Sequence, residues 1–175
     1  MAKSDHGSRT RQQPARPLTP EAANVLRKFR VIFNSVRKHF RATERKAGVS
    51  GAHVWALGVI AEQPGIGVGE LAKALDVHQS TVSNLLRTLT AKRLVASERS
   101  EADKRAIHLY VTASGQKVLQ RAPSPYSGVL PDALLELDPK VLKRLDRDLD
   151  RLVAILSPNE DGAYIPLGSS SRIQR

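Results

Sequence analysis

The sequence predicts a mainly α-helical fold with one small β element, on three observations. Large apolar residues alternate at steps of three and four near both ends of the chain. They are Leu26, Phe29, Phe33, Val36 and Phe40, and again Leu142, Leu145, Leu149, Leu152 and Leu156, the a/d spacing of helices that pack along a seam. Residues 106–112 switch to period two, with Ile107, Leu109 and Val111 separated by His108 and Tyr110, as a strand requires. Between these regions, QSTVSNLLRTL (79–89) places Val82, Leu85, Leu86 and Leu89 on one helical face. Its opposite face is short and polar.

Composition narrows the class. The chain has 175 residues, 41% hydrophobic and 26% charged, values ordinary for a soluble globular protein. With no cysteine, a disulfide scaffold, a thiolate zinc site and a thiol redox sensor are excluded. The first thirteen residues, MAKSDHGSRTRQQ, hold no apolar signal core, and no apolar run approaches about 18 residues, so a cytoplasmic protein is expected. The net charge of +11 is unevenly placed: residues 1–48 carry 12 bases and 3 acids, 49–121 carry 9 and 6, and 122–175 carry 7 and 8. That asymmetry points to a polyanionic partner, nucleic acid or membrane surface, without choosing between them.

Residues 1–18, polar and basic with Pro14 and Pro17, read as a disordered arm. Residues 19–48 read as a dimerisation helix, with Thr19 as N-cap, Pro20 at the first helical position and Glu21 near the positive helix end. A second helix covers 52–62 and is ended by Pro64 and Gly65. The following GIGVG lacks GxGxxG spacing and follows a helix, so it reads as a turn. GVSGA (48–52) lacks the last glycine of a nucleophile elbow. A short helix, GELAKAL (69–75), a tight turn at Asp76–His78 and the helix from Gln79 come next. Strands at 94–97 and 106–112 flank the charged loop RSEADKR (99–105). Thr112 caps another helix, interrupted at Pro123 and Pro125. The final helix, 138–156, has Asp138 as N-cap and Pro139 at its first position. Residues 157–175 read as a disordered tail.

The helix from Gln79 carries the function. Ser80, Ser83, Asn84 and Arg87 share its polar arc, with Thr81 beside them, and no Asp or Glu occurs from Val77 to Ser97. A solvated helix face ordinarily carries Glu and Lys at four-residue spacing. Short hydroxyl and amide side chains instead allow close approach to phosphates and base edges, and Arg can fork onto guanine. Ala72 supplies the small residue that two crossing helices need, and Val82, ten positions on, the buried contact. Helix, tight turn, helix and hairpin together make a winged helix-turn-helix over 49–121. Its second helix would enter the major groove while Lys104 and Arg105 reach the backbone or minor groove.

The stretch ELAKALDVHQSTVSNLLRTLTAKRLVASERSEADKRAIHLYVTASGQKVL resembles the MarR family of dimeric winged helix-turn-helix transcription regulators. The wing signature of that family is met by Asp103, Arg105, Thr112 and Gly115, and weaker similarity extends over roughly residues 20–156. Arg93 stands where the family usually has Gly, Ser97 where it often has Arg, and the Pro123–Pro125 break replaces a longer helix. The resemblance implies that Ser80, Thr81, Ser83, Asn84 and Arg87 read the major groove. It also implies that Arg105, positioned by Asp103 with Lys104 beside it, enters the minor groove.

The two seams can meet within one chain or between two chains. The second is expected, because large residues at both ends exceed what a small central module can cover. Residues 19–48 and 122–156 are therefore assigned to a homodimer interface. The scattered histidines and the absence of a nucleophile, base and orienter constellation argue against a catalytic or metal site and against any cofactor. Trp55 reads as core. A cleft near His53 and Trp55, beside Arg30 or Arg37, is the expected place for a small aromatic or phenolic effector, although its lining residues stay unassigned. The predicted function is a repressor that binds a pseudo-palindromic operator in double-stranded DNA. A protein-interaction adaptor and a sequence-independent DNA-binding protein are the alternatives.

Overall fold

The structure is a computed structural model that describes residues 17–99, 107–156 and 164–167. Ten elements follow in order: α1 (Pro20–Ala47), α2 (Gly51–Glu62), β1 (Ile66–Gly67), α3 (Val68–Ala74), α4 (Gln79–Ala91), β2 (Val95–Arg99), β3 (Ile107–Val111), α5 (Ala113–Arg121), α6 (Val129–Leu135) and α7 (Pro139–Leu156). Helix α1 starts where its sequence says it should. Thr19 is extended and its hydroxyl accepts from the Ala22 N–H at 3.3 Å. Gly48 closes the helix with φ 74°, its N–H bonding the Glu44 carbonyl, a left-handed cap that glycine adopts without a Cβ clash.

The core is built by α2, α3, α4 and the inner ends of the strands. Val54, Ala56, Leu57, Ile60, Leu71, Val82 and Leu89 are fully buried. Ala72 and Val82 are both buried in the same cluster, so the small residue on α3 lets α4 cross closely. The turn between them is a Schellman motif. The Val77 N–H reaches the Ala72 carbonyl and the Asp76 N–H reaches Lys73, with Asp76 at φ 50°.

The sheet has three strands in the order β1–β3–β2, both pairs antiparallel. GIGVG is therefore more than the expected turn. Ile66 pairs with Leu109 and Gly67 with His108, and the Gly65 carbonyl lies 2.8 Å from His108 Nδ1. Two residues are too few to show a period, and the pairing is with a strand some forty positions away. In the wing, Val95 opposes Val111 and Arg99 opposes Ile107. Leu109 is buried whereas Ile107 is 40% exposed, because the strands run out beyond the core toward the loop.

Helix α4 leaves through a second Schellman motif. The Leu94 N–H bonds the Leu89 carbonyl, the Arg93 N–H bonds Thr90, and Arg93 has φ 56°. The preference for glycine here thus has a geometric cause, and arginine adopts the same left-handed conformation at a cost of about 1 kcal/mol. Thr112 then ties the exit to α5. Its hydroxyl donates to the Arg93 carbonyl at 2.8 Å and accepts from the Gly115 N–H at 3.1 Å. A Cβ on Gly115 would overlap the Leu94 carbonyl oxygen.

The helical seams divide. Val36 is buried and the Phe40 ring lies against Gly51 and Gly128, so the C-terminal half of the α1 seam packs within its own chain. Leu26 and Phe33 remain exposed, as do Leu142, Leu149, Leu152 and Leu156 on α7, which buries no residue. Asp138 Oδ1 accepts from the Lys140 and Val141 N–H groups and so caps α7. The tail also differs from expectation over four residues. Pro166 is buried and the Tyr164 ring lies on His78, whereas Tyr164, Ile165 and Leu167 stay 41%, 55% and 63% exposed.

Two substitutions test the α4 exit. Arg93→Gly should raise stability by about 0.5 kcal/mol and Arg93→Val lower it by about 1 kcal/mol in urea titrations. Gly115→Ala should cost about 1–3 kcal/mol in the same assay, since a backbone carbonyl must move.

Candidate nucleic-acid interface

Helix α4 presents the face its periodicity requires. Val82, Leu85 and Leu89 are buried, Leu86 is half-buried, and Ser80, Ser83, Asn84 and Arg87 are exposed; Thr81 and Thr88 lie half-buried at the edges. The structure thus brings five predicted residues together on or beside one arc. The Ser83 hydroxyl donates to the Gln79 carbonyl at 2.9 Å. Toward a partner it therefore offers lone pairs, so it suits a donor on a base edge better than a phosphate oxygen. The N-cap, His78, makes no side-chain cap bond, which leaves the positive end of the helix open beside Ser80. The nearby Glu70 carboxylate is already engaged, accepting from the Gly67 N–H at 3.0 Å.

Positive charge continues past the reading arc. Lys92 and Arg93 are exposed at the helix exit, and Arg99 is exposed at the outer end of β2. Sequence reasoning missed Arg99, because the strand was expected to stop at residue 97 and instead runs two residues further. Asp103, Lys104 and Arg105 lie outside the described residues.

A second feature adjoins α4. Val36, Phe40, Ala52, Trp55, Leu75 and Val77 line part of a mainly apolar cleft of about 190 Å³. Trp55 is half-buried: it packs against the core, as its sequence context implied, and also lines this cleft. Periodicity places a side chain on a helix face but does not say whether a neighbour covers it. Arg37 does not line the cleft; with Asn34, Lys38, Arg41 and Arg45 it borders a shallow basic groove on α1, and Arg30 is exposed elsewhere on the same helix.

His53 is part-buried, and its Nδ1 lies 2.6 Å from the Ser50 hydroxyl. Burial, and secondarily the Lys92 ammonium, hold its pKa below the ordinary 6.5. The pair closes the start of α2, where Ser50 is the N-cap. Among the described residues no group of three or more His, Cys, Asp or Glu could hold a metal ion, and no helix is long and apolar enough to cross a membrane.

A helix-turn-helix followed by a paired wing and flanked by long helices defines a winged-helix protein. Residues 47–106 match a family model described as MarR family, so the helix-turn-helix and the start of the wing are similar to that family. It is 32% identical over 85 residues to a protein of Thauera aromatica described as a transcriptional regulatory protein for the hcr operon, covering 49% of this chain and 51% of that one. It is 24% identical over 93 residues to the HTH-type transcriptional repressor MdtR of Bacillus subtilis, covering 53% and 60%. The match thus spans between half and two thirds of these relatives. The solved structure of Sco3205, a MarR family transcriptional regulator from Streptomyces coelicolor in complex with DNA, superposes with a TM-score of 0.53 at 26% identity, over 85% of this chain and 96% of that one.

His53 generates a pH prediction. The unfolded ring takes up a proton near pH 6.5 whereas the folded ring resists it, so its contribution to stability is complete above about pH 6.5 and is lost as pH falls below that value. Urea midpoints measured from pH 7.5 to 5.5 should drop less steeply in His53→Gln than in the natural protein.

Proposed function

We propose that this protein is a homodimeric, sequence-reading DNA-binding transcription regulator, a repressor released by a small apolar or aromatic ligand. The observation that carries the reading is the exposed, acid-free arc of Ser80, Ser83, Asn84 and Arg87 on the second helix of the helix-turn-helix. That helix lies in the major groove, where Arg87 and Asn84 have donors for base edges and the Ser83 hydroxyl offers lone pairs to a base donor. Arg105, with Asp103 and Lys104, occupies the minor groove from the wing. The DNA-bound state of Sco3205 and the repressor function in the name of MdtR support this reading.

Dimerisation follows from surface chemistry. The N-terminal half of α1 and the whole of α7 expose Leu26, Phe33, Leu142, Leu149, Leu152 and Leu156, which a second copy of the chain would cover. Two reading helices then meet half-sites about 10 base pairs apart, so the operator is a pseudo-palindrome. The cleft lined by Phe40 and Trp55 lies between α1, α2 and the turn that precedes α4. A ligand that fits one arrangement of that turn better than another changes the spacing of the reading heads and with it DNA affinity.

The decisive assay compares binding to the promoter region beside the protein's own gene with binding to random duplex at two salt concentrations. A preference of about a thousandfold or more is expected, and Arg87→Ala should reduce specific affinity by about 1–3 kcal/mol. Equal binding to both duplexes would instead place the protein among sequence-independent DNA binders, and no DNA binding would favour an adaptor. Leu142→Glu with Leu149→Glu should yield a monomer in sedimentation velocity.

A further inference from the structure

One wall of the cleft comes from the tail. Ile165, Pro166 and Leu167 line it together with Val36, Phe40, Trp55 and the Leu75–Val77 turn. Pro166 is buried, and the Tyr164 ring packs on His78, the N-cap of α4, with ring centroids 4.2 Å apart and planes tilted by 46°. These four residues form an apolar island in a tail whose neighbours are SPNEDGA before and GSSSRIQR after. We propose that Tyr164–Leu167 is an intramolecular cover on one side of this cleft, which apolar molecules too large for its open volume of about 190 Å³ must displace before they can bind.

Three physical points support the assignment. The segment is chemically matched to the site, with two aliphatic side chains and a proline, whose ring fixes φ and lowers the entropy lost on docking. Seven residues, 157–163, join it to the end of α7, so its effective concentration at the cleft is of order millimolar without any other molecule present. Its contacts bridge the cleft and the N-terminus of α4, so displacement removes the Tyr164 contact from His78 at the start of that helix. A competitor in residence lowers the apparent affinity of a ligand by the fraction of time the cleft is open. A segment seated about nine-tenths of the time weakens a ligand about tenfold. The inference concerns the cleft and does not depend on DNA being the partner of α4.

Trp55 is the single tryptophan of the chain and lines the cleft, so it reports on the site directly. Anilinonaphthalenesulfonate should be titrated into the full-length protein and into full-length Ile165→Asp/Leu167→Asp, following energy transfer from Trp55 to the probe. The expected result is a red-shifted Trp55 emission in the variant and probe binding about tenfold tighter. A synthetic peptide spanning residues 163–168, added to the variant, should displace the probe. Ile165→Ser/Leu167→Ser should act in the same direction without adding charge. Unchanged emission and equal probe affinity in both proteins would overturn the proposal. So would tighter probe binding that the peptide fails to reverse.

Discussion

The orientation of everything that faces a partner depends on the peptide between Arg93 and Leu94. The Leu94 N–H closes α4, the Arg93 carbonyl accepts from the Thr112 hydroxyl, and the Leu94 carbonyl accepts from the Thr112 N–H and leaves no room for a side chain on Gly115. One short segment therefore fixes the exit of α4, the base of the wing and the start of α5 relative to one another. Each bond alone contributes about 1 kcal/mol. Their convergence at one point makes the three elements move as a unit, which a reading helix and wing bound to neighbouring grooves would need.

Against that rigid centre, the helices on the outside are underused. Helix α1 divides its apolar residues between its own chain, through Val36 and Phe40, and solvent, through Leu26 and Phe33. The cleft sits where the inward half of α1 approaches the turn before α4. In the proposed function, a small event at this cleft could shift the helix-turn-helix as a body, with no change in the exposed face of α4 itself.

Local chemistry was legible in the sequence; partnership was not. Thr19 with Pro20, and Asp138 with Pro139, announced helix starts because a cap bonds within three residues of itself. The buried and exposed arcs of α4 followed from period alone. The strand at Ile66–Gly67 was invisible because its reason for existing is His108 and Leu109, far along the chain. The same holds for Trp55 and Phe40: the helix face was correct, yet only the fold shows that Gly51 and Gly128 leave space for the Phe40 ring and that Trp55 borders a gap. Arg93 was legible as an oddity, and the structure supplies its cause in a left-handed φ. The apolar island at Tyr164–Leu167 was visible as composition but too short to show any periodicity.

Helix α7 buries none of its 18 residues within its own chain. A helix of that length is marginal in water when nothing packs against it. In the proposed dimer a second copy would supply that order, so dilution alone should melt α7 while the winged core stays folded. If the proposed dimer covers α7, the amount of protein in the cell becomes a structural variable.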